Sequence, residues 1–431
     1  MHRRIVELLL LLFLAFIGVN WPDLSYNARL ADLIFVPLAA FVVALPQARW
    51  TWRTPDFAVV IYLLGAVPAI VASADRTQSA MEFGREIYLA IVYVIVAMAA
   101  RHGMARTIGK GLALGGAILS LAGLVFVIRQ TIGASPWPPM GEVMALPYLG
   151  DTLRLRALTA SEAMLACVLT AAIPFAIAMC TRDRIRAWCA AGAAMIAAAA
   201  LTFSHAIAGF AVATVIAAWP LVKGQKLLRN LAVAGAVAVF LVLNFAATVS
   251  IRSITNGESS YTDRSIYHYA VDQREMQLGN AVVTYSVMSY ARIKQVAWRA
   301  FLEHPIAGLG LDQFHTATIR AYDEGALPLL YREIDPHSAL FGRLAECGVI
   351  GGVTLLMLWA AWAVMARDGA AHYLGYAAAA AMAGLIVSSL NADIMNFRFL
   401  WAVAGLLRGL QASTPSRQAP TSLSPRDQSE W

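Results

Sequence analysis

The chain has 431 residues, 59% of them hydrophobic and only 14% charged, with a formal net charge of +7. Soluble domains carry about 25% charged residues, so this composition excludes an ordinary soluble globular fold. Apolar stretches of roughly 18 residues or more recur along the chain and mark an integral membrane protein.

The opening stretch, MHRRIVELLLLLFLAFIGVNW, is basic and then apolar, as a signal peptide is. No small-residue cleavage site follows it, and NWPDLSYN reads as a loop, so the sequence predicts an uncleaved first helix. The expected fold is all-α, with about twelve apolar helices near 5–20, 30–46, 57–73, 86–100, 107–129, 162–180, 187–203, 206–222, 228–249, 338–366, 371–390 and 395–411. The seventh and eighth are separated only by FSHA, a tight reversal that carries His205. The chain thus divides into helices 1–9 (1–249, with a medium loop near 130–161), a large, partly helical loop (250–337), helices 10–12 (338–411) and a Ser/Pro-rich tail (412–431).

Basic residues set the expected orientation. With Arg3 and Arg4 inside, the inner loops hold fourteen Lys and Arg residues and the short or medium outer loops hold six. Both termini are therefore expected on the cytoplasmic side, with a disordered tail, and the 130–161 and 250–337 segments outside. The positive charge is then an inner-face bias and gives no support for a nucleic-acid partner.

All four cysteines fall in apolar segments, so neither a disulfide nor a zinc site is expected. No HxxH, HExxH or CxxC spacing occurs, and a metal site has no sequence support. The membrane-depth stretches read as nearly charge-free, with charge gathered on one face. That pattern favours a surface enzyme over a transporter, whose ionisable groups sit near the bilayer midplane.

Chemistry is sought in the two long outer segments. In DTLRLRALTASE, Arg154 and Arg156 precede a helix; their guanidinium forks suit phosphate or diphosphate, and equally suit lipid headgroups. NAVVTYSVMSYARIKQVAWRAFLEHP reads as one amphipathic helix, with Arg292 and Arg299 on one face and Glu303 placed to pair with Arg299. It either lies on the bilayer surface or docks on the bundle. His337, after Pro336, stands where an apolar helix begins; the helix N-terminus disfavours its protonation. A neutral imidazole there accepts a hydroxyl proton, or else serves as a cap. Glu346, nine residues on, is placed on the opposite helix face and is not expected to orient His337.

Together, HPIAGLGLDQF (304–314) and PHSALFGRLAECGVIGG (336–352) resemble the signature of the O-antigen ligase and O-antigen polymerase superfamily. RALTASEAMLA (156–166), LTFSHAIAG (201–209) and ARIKQVAW (291–298) resemble three further blocks. Ser161-Glu162 stand where that family has Pro-Asn, and His205 where it has Arg. The resemblance implies a bacterial inner-membrane glycosyltransferase with a periplasmic active site. It would move O-antigen glycan from undecaprenyl diphosphate to lipid A-core, by inversion and without metal or other cofactor. His337 would be base or acceptor-orienting residue. Arg156 and Arg292, with Arg154, His205, Arg299 and Arg264, would hold the diphosphate. The alternatives are an O-antigen polymerase, a protein O-oligosaccharyltransferase and, from another class, a lipid or solute transporter.

Overall fold

The computed structural model describes residues 2–20, 29–45, 50–133, 140–146, 150–183, 186–221, 225–226, 230, 233–237, 248–253, 274–278, 281–286, 289–327 and 332–413. Helices stand at every expected apolar position except the ninth, most of which lies outside the described residues. They are α1 (His2–Phe16), α2 (Leu30–Val43), α3 (Thr54–Leu64), α4 (Val67–Ala72), α5 (Arg76–Ala99), α6 (Ala105–Thr131), α7 (Glu162–Asp183), α8 (Arg186–Ala200) and α9 (Ile207–Ala218). After the large loop come α12 (Ala339–Gly369), α13 (Tyr373–Ser388) and α14 (Arg398–Ser413), with α10 (Ser289–Glu303) and α11 (Phe314–Asp323) inside the loop. Four helical stretches, 54–72, 76–131, 162–182 and 339–369, are long and apolar enough to cross a membrane.

Local chemistry explains the departures from the expected boundaries. The third apolar stretch breaks between α3 and α4, because Pro68 has no N–H to donate and its ring crowds the carbonyl four residues back. Asp75 accepts a 2.9 Å hydrogen bond from the Gln78 N–H and so starts α5 ten residues earlier than the apolar pattern suggests. The added turns carry Glu82 and place it one turn before Glu86. α5 and α6 reverse through Ala100–Met104, where Gly103 takes a positive φ of 81°.

The chain is mostly helical, but the all-α expectation misses two small antiparallel sheets. β1 (Gly141–Leu146) pairs with β2 (Gly150–Leu155), and in the large loop β3 (Thr248–Ser253), β4 (Arg274–Leu278) and β5 (Ala281–Ser286) stand in the order β3-β5-β4. The expected amphipathic helix over 280–305 is therefore helical only from Ser289; AVVTYS, rich in β-branched residues, is a strand. The expectation of no disulfide is also overturned. Near the end of α7 and the start of α8, Cys180 and Cys189 stand at a Cα separation of 5.4 Å and are bonded. Cys167 and Cys347 are free and buried, as expected of small hydrophobes.

Charge is not confined to one face. Arg408 is fully buried on α14 and bonds Asp56 of α3 at 2.8–3.2 Å, with Tyr93 also donating to Asp56 at 2.8 Å. Arg398 grips Asp32 at 2.6–2.7 Å, and Tyr88 donates to the same carboxylate. Arg343 of α12 meets Glu86 of α5 at 2.5 and 3.2 Å, beneath the Tyr62 hydroxyl and 4.3 Å from its ring centre. In each case an arginine of the C-terminal helices is clamped by a carboxylate and a tyrosine of the N-terminal ones. Burial of an ion survives only when it is paired and hydrogen-bonded in this way, which is why an apolar sequence average conceals it.

Candidate active site

The site is organised by how α12 begins. Pro336 is buried against the first turn of α12, and a Cβ on Gly342 would stand 2.5 Å from its ring. Glycine at 342 is therefore what lets the proline seat. Behind it His337 takes φ +47°, a left-handed conformation that non-glycine residues adopt only where the surroundings impose it. Ser338 is fully buried and extended, and the Ala339 N–H donates to the Ser389 carbonyl at 2.9 Å, fixing the start of α12 to the end of α13.

A second junction holds the other end of the site. Gly348 interrupts α12 at φ +63°, ψ −160°. The carbonyls freed there do not go unpaired: Leu309 N–H donates to Ala345 at 2.9 Å and Gly310 N–H to Glu346 at 3.0 Å, while Val349 N–H donates to Pro305 at 2.8 Å. Gly308 and Gly348 have no room for a Cβ, which would lie 2.2 Å from backbone atoms of Glu346 and Ile306 respectively. The two sequence blocks, 304–310 and 345–352, are thus one interlocked unit.

Between these junctions lies a cavity of about 330 Å³. His337 lines it together with Glu82, Glu86, Asp312, Asp335, Glu346 and Asp393, and with Arg29 and Arg343. Glu346 lines the same cavity as His337 and accepts from the Phe314 N–H at 3.3 Å. The nine-residue helical count does not apply, because His337 is not helical; from Ala339, where the helix begins, Glu346 is seven residues on and falls on the same face.

On its other side His337 meets positive charge. Its pKa is lowered to about 4, first by burial and then by the Lys294 ammonium. His205 is lowered to about 4 as well, by burial and then by Arg154, Lys294 and His337. His205, in the α8–α9 turn, thus feels Arg154 of β2, Lys294 of α10 and His337, while His337 feels Lys294. Burial first, and then Lys294, hold His337 below the ordinary histidine pKa, in the same direction as the sequence reading expects.

The sequence candidates separate accordingly. Arg154 is nearly buried and lies 3.6 Å from Glu162, so the residue that replaces the family's usual asparagine serves as its counter-ion. Arg156 follows it, half-buried, with its N–H donating to Met140 O at 2.9 Å and its carbonyl accepting from the Thr159 hydroxyl. Arg292 and Arg299 share a face, as expected, but that face lines a separate shallow pocket away from His337. Arg292 is 3.3 Å from the Gln295 amide oxygen, and Arg299 is neutralised by Glu303 at 3.0 Å and Glu324 at 2.5 Å. Arg264 lies outside the described residues.

Two residues of the site were not anticipated. Lys294, two positions past Arg292, turns inward and donates to the Asn391 amide oxygen at 2.9 Å. The i,i+7 spacing of the arginines drew attention to the outer face of α10; the polar residue flanked by Ile293 and Ala297, both fully buried, was the signal for the inner one. Asp393 lies in the α13–α14 turn, where burial lifts its carboxyl to about 7. Among the described residues no three His, Cys, Asp or Glu side chains are grouped to hold a metal.

These features define a helical membrane protein with a polar, charge-divided site where its helices end. Residues 190–356, from α8 to the middle of α12, match the family model described as O-antigen ligase, so over that stretch the chain is similar to this family. The family covers O-antigen ligases and polymerases, glycan-transferring enzymes that act on lipid-linked donors. The matched stretch includes His205, Lys294, the 304–310 turn and His337; Arg154 and Arg156 precede it. No curated protein matches the chain.

Proposed function

We infer that the protein is an O-antigen ligase: it transfers a glycan from undecaprenyl diphosphate to lipid A-core at the outer face of the bacterial inner membrane. The observation that carries this reading is the position of His337, between a cluster of cations and a cavity lined by carboxylates. A leaving diphosphate needs the first and a sugar hydroxyl suits the second.

In this reading Arg154, Lys294 and His205, with Arg156 beside them, face the diphosphate. The acceptor sugar enters the carboxylate-lined cavity, and His337 accepts a hydrogen bond from its reacting hydroxyl. The hydroxyl oxygen bonds to the donor's anomeric carbon from the face opposite the diphosphate as its proton passes to the His337 imidazole, the C–O bond to the diphosphate breaks, and that electron pair leaves on the phosphate oxygen. Configuration inverts. An imidazole with a pKa near 4 is a poor proton acceptor in the empty site. A bound diphosphate places opposite charge beside it and offsets Lys294, which raises its proton affinity when it is needed. Cations fixed beforehand around the leaving group supply the electrostatic stabilisation that dominates many enzymatic rate enhancements.

The test uses the purified full chain in liposomes with undecaprenyl-diphosphate-linked glycan and lipid A-core. Glycan transferred to lipid A-core supports the ligase. Lengthening of the lipid-linked glycan, with lipid A-core untouched, would identify a polymerase instead.

A further inference from the structure

The outward face of α10 changes character along its length. Gln295, Arg299 and Glu303 form one edge, where Arg299 and Glu303 pair with Glu324 and Arg320 of α11. The other edge is apolar and open: Trp298 is 46% exposed and Leu302 61%, and beyond the helix Ile306 is 67% exposed. Trp298 stacks against Phe301 at 5.1 Å, so the apolar edge is continuous.

This edge does not stand clear of the bundle. Pro305 accepts a hydrogen bond from Val349 N–H, ten residues into α12. α12 has 31 residues, about 46 Å at 1.5 Å per residue, against an apolar bilayer core of about 30 Å. Gly348 breaks that length, and the unbroken part, 349–369, is about 31 Å long, so it just spans the core and residue 349 lies at the core's boundary. The exposed side chains of α12 agree: Val349, Val353, Leu356, Met357 and Val364 are 45–51% exposed and form its lipid-facing stripe. Ile306, whose carbonyl lies against Gly348, extends that stripe sideways.

Non-helical backbone is tolerated at membrane depth only where its polar groups are satisfied by protein. The 304–312 segment meets this condition on both inner sides. It exchanges three hydrogen bonds with the break in α12, and on the α5 side Ser79 donates to Leu311 O at 2.7 Å and Gln78 to the Asp312 carboxylate at 3.0 Å. The open third side presents Ile306.

We propose that the end of α10 and the 304–310 turn form a foot sunk into the leaflet in which α12 begins, with Trp298 at the headgroup boundary and Leu302 and Ile306 against acyl chains. The occupant of this face is lipid, because the face continues the lipid-facing stripe of α12 without a polar break. Lys294 lies on the same helix, so the foot sets the height of the cation cluster relative to the membrane surface. The inference does not depend on which reaction the site performs.

The test places single cysteines at Trp298, Leu302 and Ile306, and at exposed Glu333 as an aqueous reference, in the full chain reconstituted into phosphatidylcholine vesicles. Wild type labelled in parallel corrects for native cysteines. Each protein is reacted with a membrane-impermeant maleimide. Separately, each is labelled with an environment-sensitive fluorophore and exposed to nitroxide-bearing phosphatidylcholine. Reaction at 302 and 306 is expected to be about tenfold slower than at 333, as for side chains withdrawn from water. Quenching by the nitroxide lipid should increase in the order 298, 302, 306, and be absent at 333. Reaction at 306 as fast as at 333, without lipid quenching, would overturn the proposal. So would disulfide cross-linking of Ile306→Cys between chains without lipid quenching, since a second copy would then cover the face.

Discussion

Replacing Gly348 with alanine tests whether the two sequence blocks act as one unit. Gly348 sits at φ +63°, ψ −160°, a region essentially restricted to glycine, and forcing another residue there costs about 1–3 kcal/mol. The added Cβ would lie 2.2 Å from the Ile306 carbonyl oxygen and 2.3 Å from its carbon, both backbone atoms held in place. The turn must therefore withdraw, and it loses the hydrogen bonds Leu309 N–H to Ala345, Gly310 N–H to Glu346 and Val349 N–H to Pro305. Net contributions of about 0.5–1.5 kcal/mol each, with the backbone strain, give a total on the order of 3–6 kcal/mol. The assay compares Gly348→Ala with Val349→Ala, a neighbour 45% exposed, for which a change within about 0.5 kcal/mol is expected. Thermal unfolding in detergent and the yield of monodisperse protein are measured for both. A Gly348→Ala protein that melts with Val349→Ala would refute the interlocked turn.

Protonation of His337 should set the acid limb of activity. With a pKa near 4 in the ligand-free protein, kcat/KM holds from neutral pH down to about pH 5 and falls below it, while the limb of kcat lies higher because bound diphosphate raises the proton affinity. Lys294→Met removes a cation that lowers this value, so the limb moves upward, toward the ordinary histidine pKa of about 6.5; an unmoved limb would separate Lys294 from His337. Arg154→Ala is expected to reduce donor use about ten- to a hundred-fold, the consequence of losing a charged contact of about 1.5–3 kcal/mol. Arg292→Ala, whose side chain lines the other pocket, should stay within about threefold of wild type in the same kinetics, below the loss of even one charged contact. Turnover is expected to survive EDTA; loss restored by a divalent ion would reject the cation-cluster mechanism.

Much of the helical frame was legible in the sequence because a bilayer leaves little choice: apolar stretches long enough to span must satisfy their own backbone. The start of α12 just after Pro336 and His337 was legible too, since Pro336 before an apolar helix is a local signal. What the pattern did not carry was pairing across the chain. Asp56 and Arg408 are 352 residues apart in sequence, and each alone reads as an isolated charge. The strands of the outer segments are short and sit among turn residues, so helical periodicity overran β5. Arg292 drew attention because arginine suits phosphate, yet which face of α10 turns inward depends on packing against α12, and Lys294 is the cation on that face. Asp393 entered the site only when the α13–α14 turn closed beneath His337.

The central claim is that His337 works on the acceptor hydroxyl. Its most direct measurement is the rate of glycan transfer to lipid A-core by His337→Ala and His337→Gln in liposomes, with thermal stability and donor binding recorded on the same preparations. The account predicts stable proteins that still bind undecaprenyl-diphosphate-linked glycan but transfer it about a hundred- to ten-thousand-fold more slowly, the range for loss of a general base. Stable variants that transfer glycan at near the wild-type rate would contradict it.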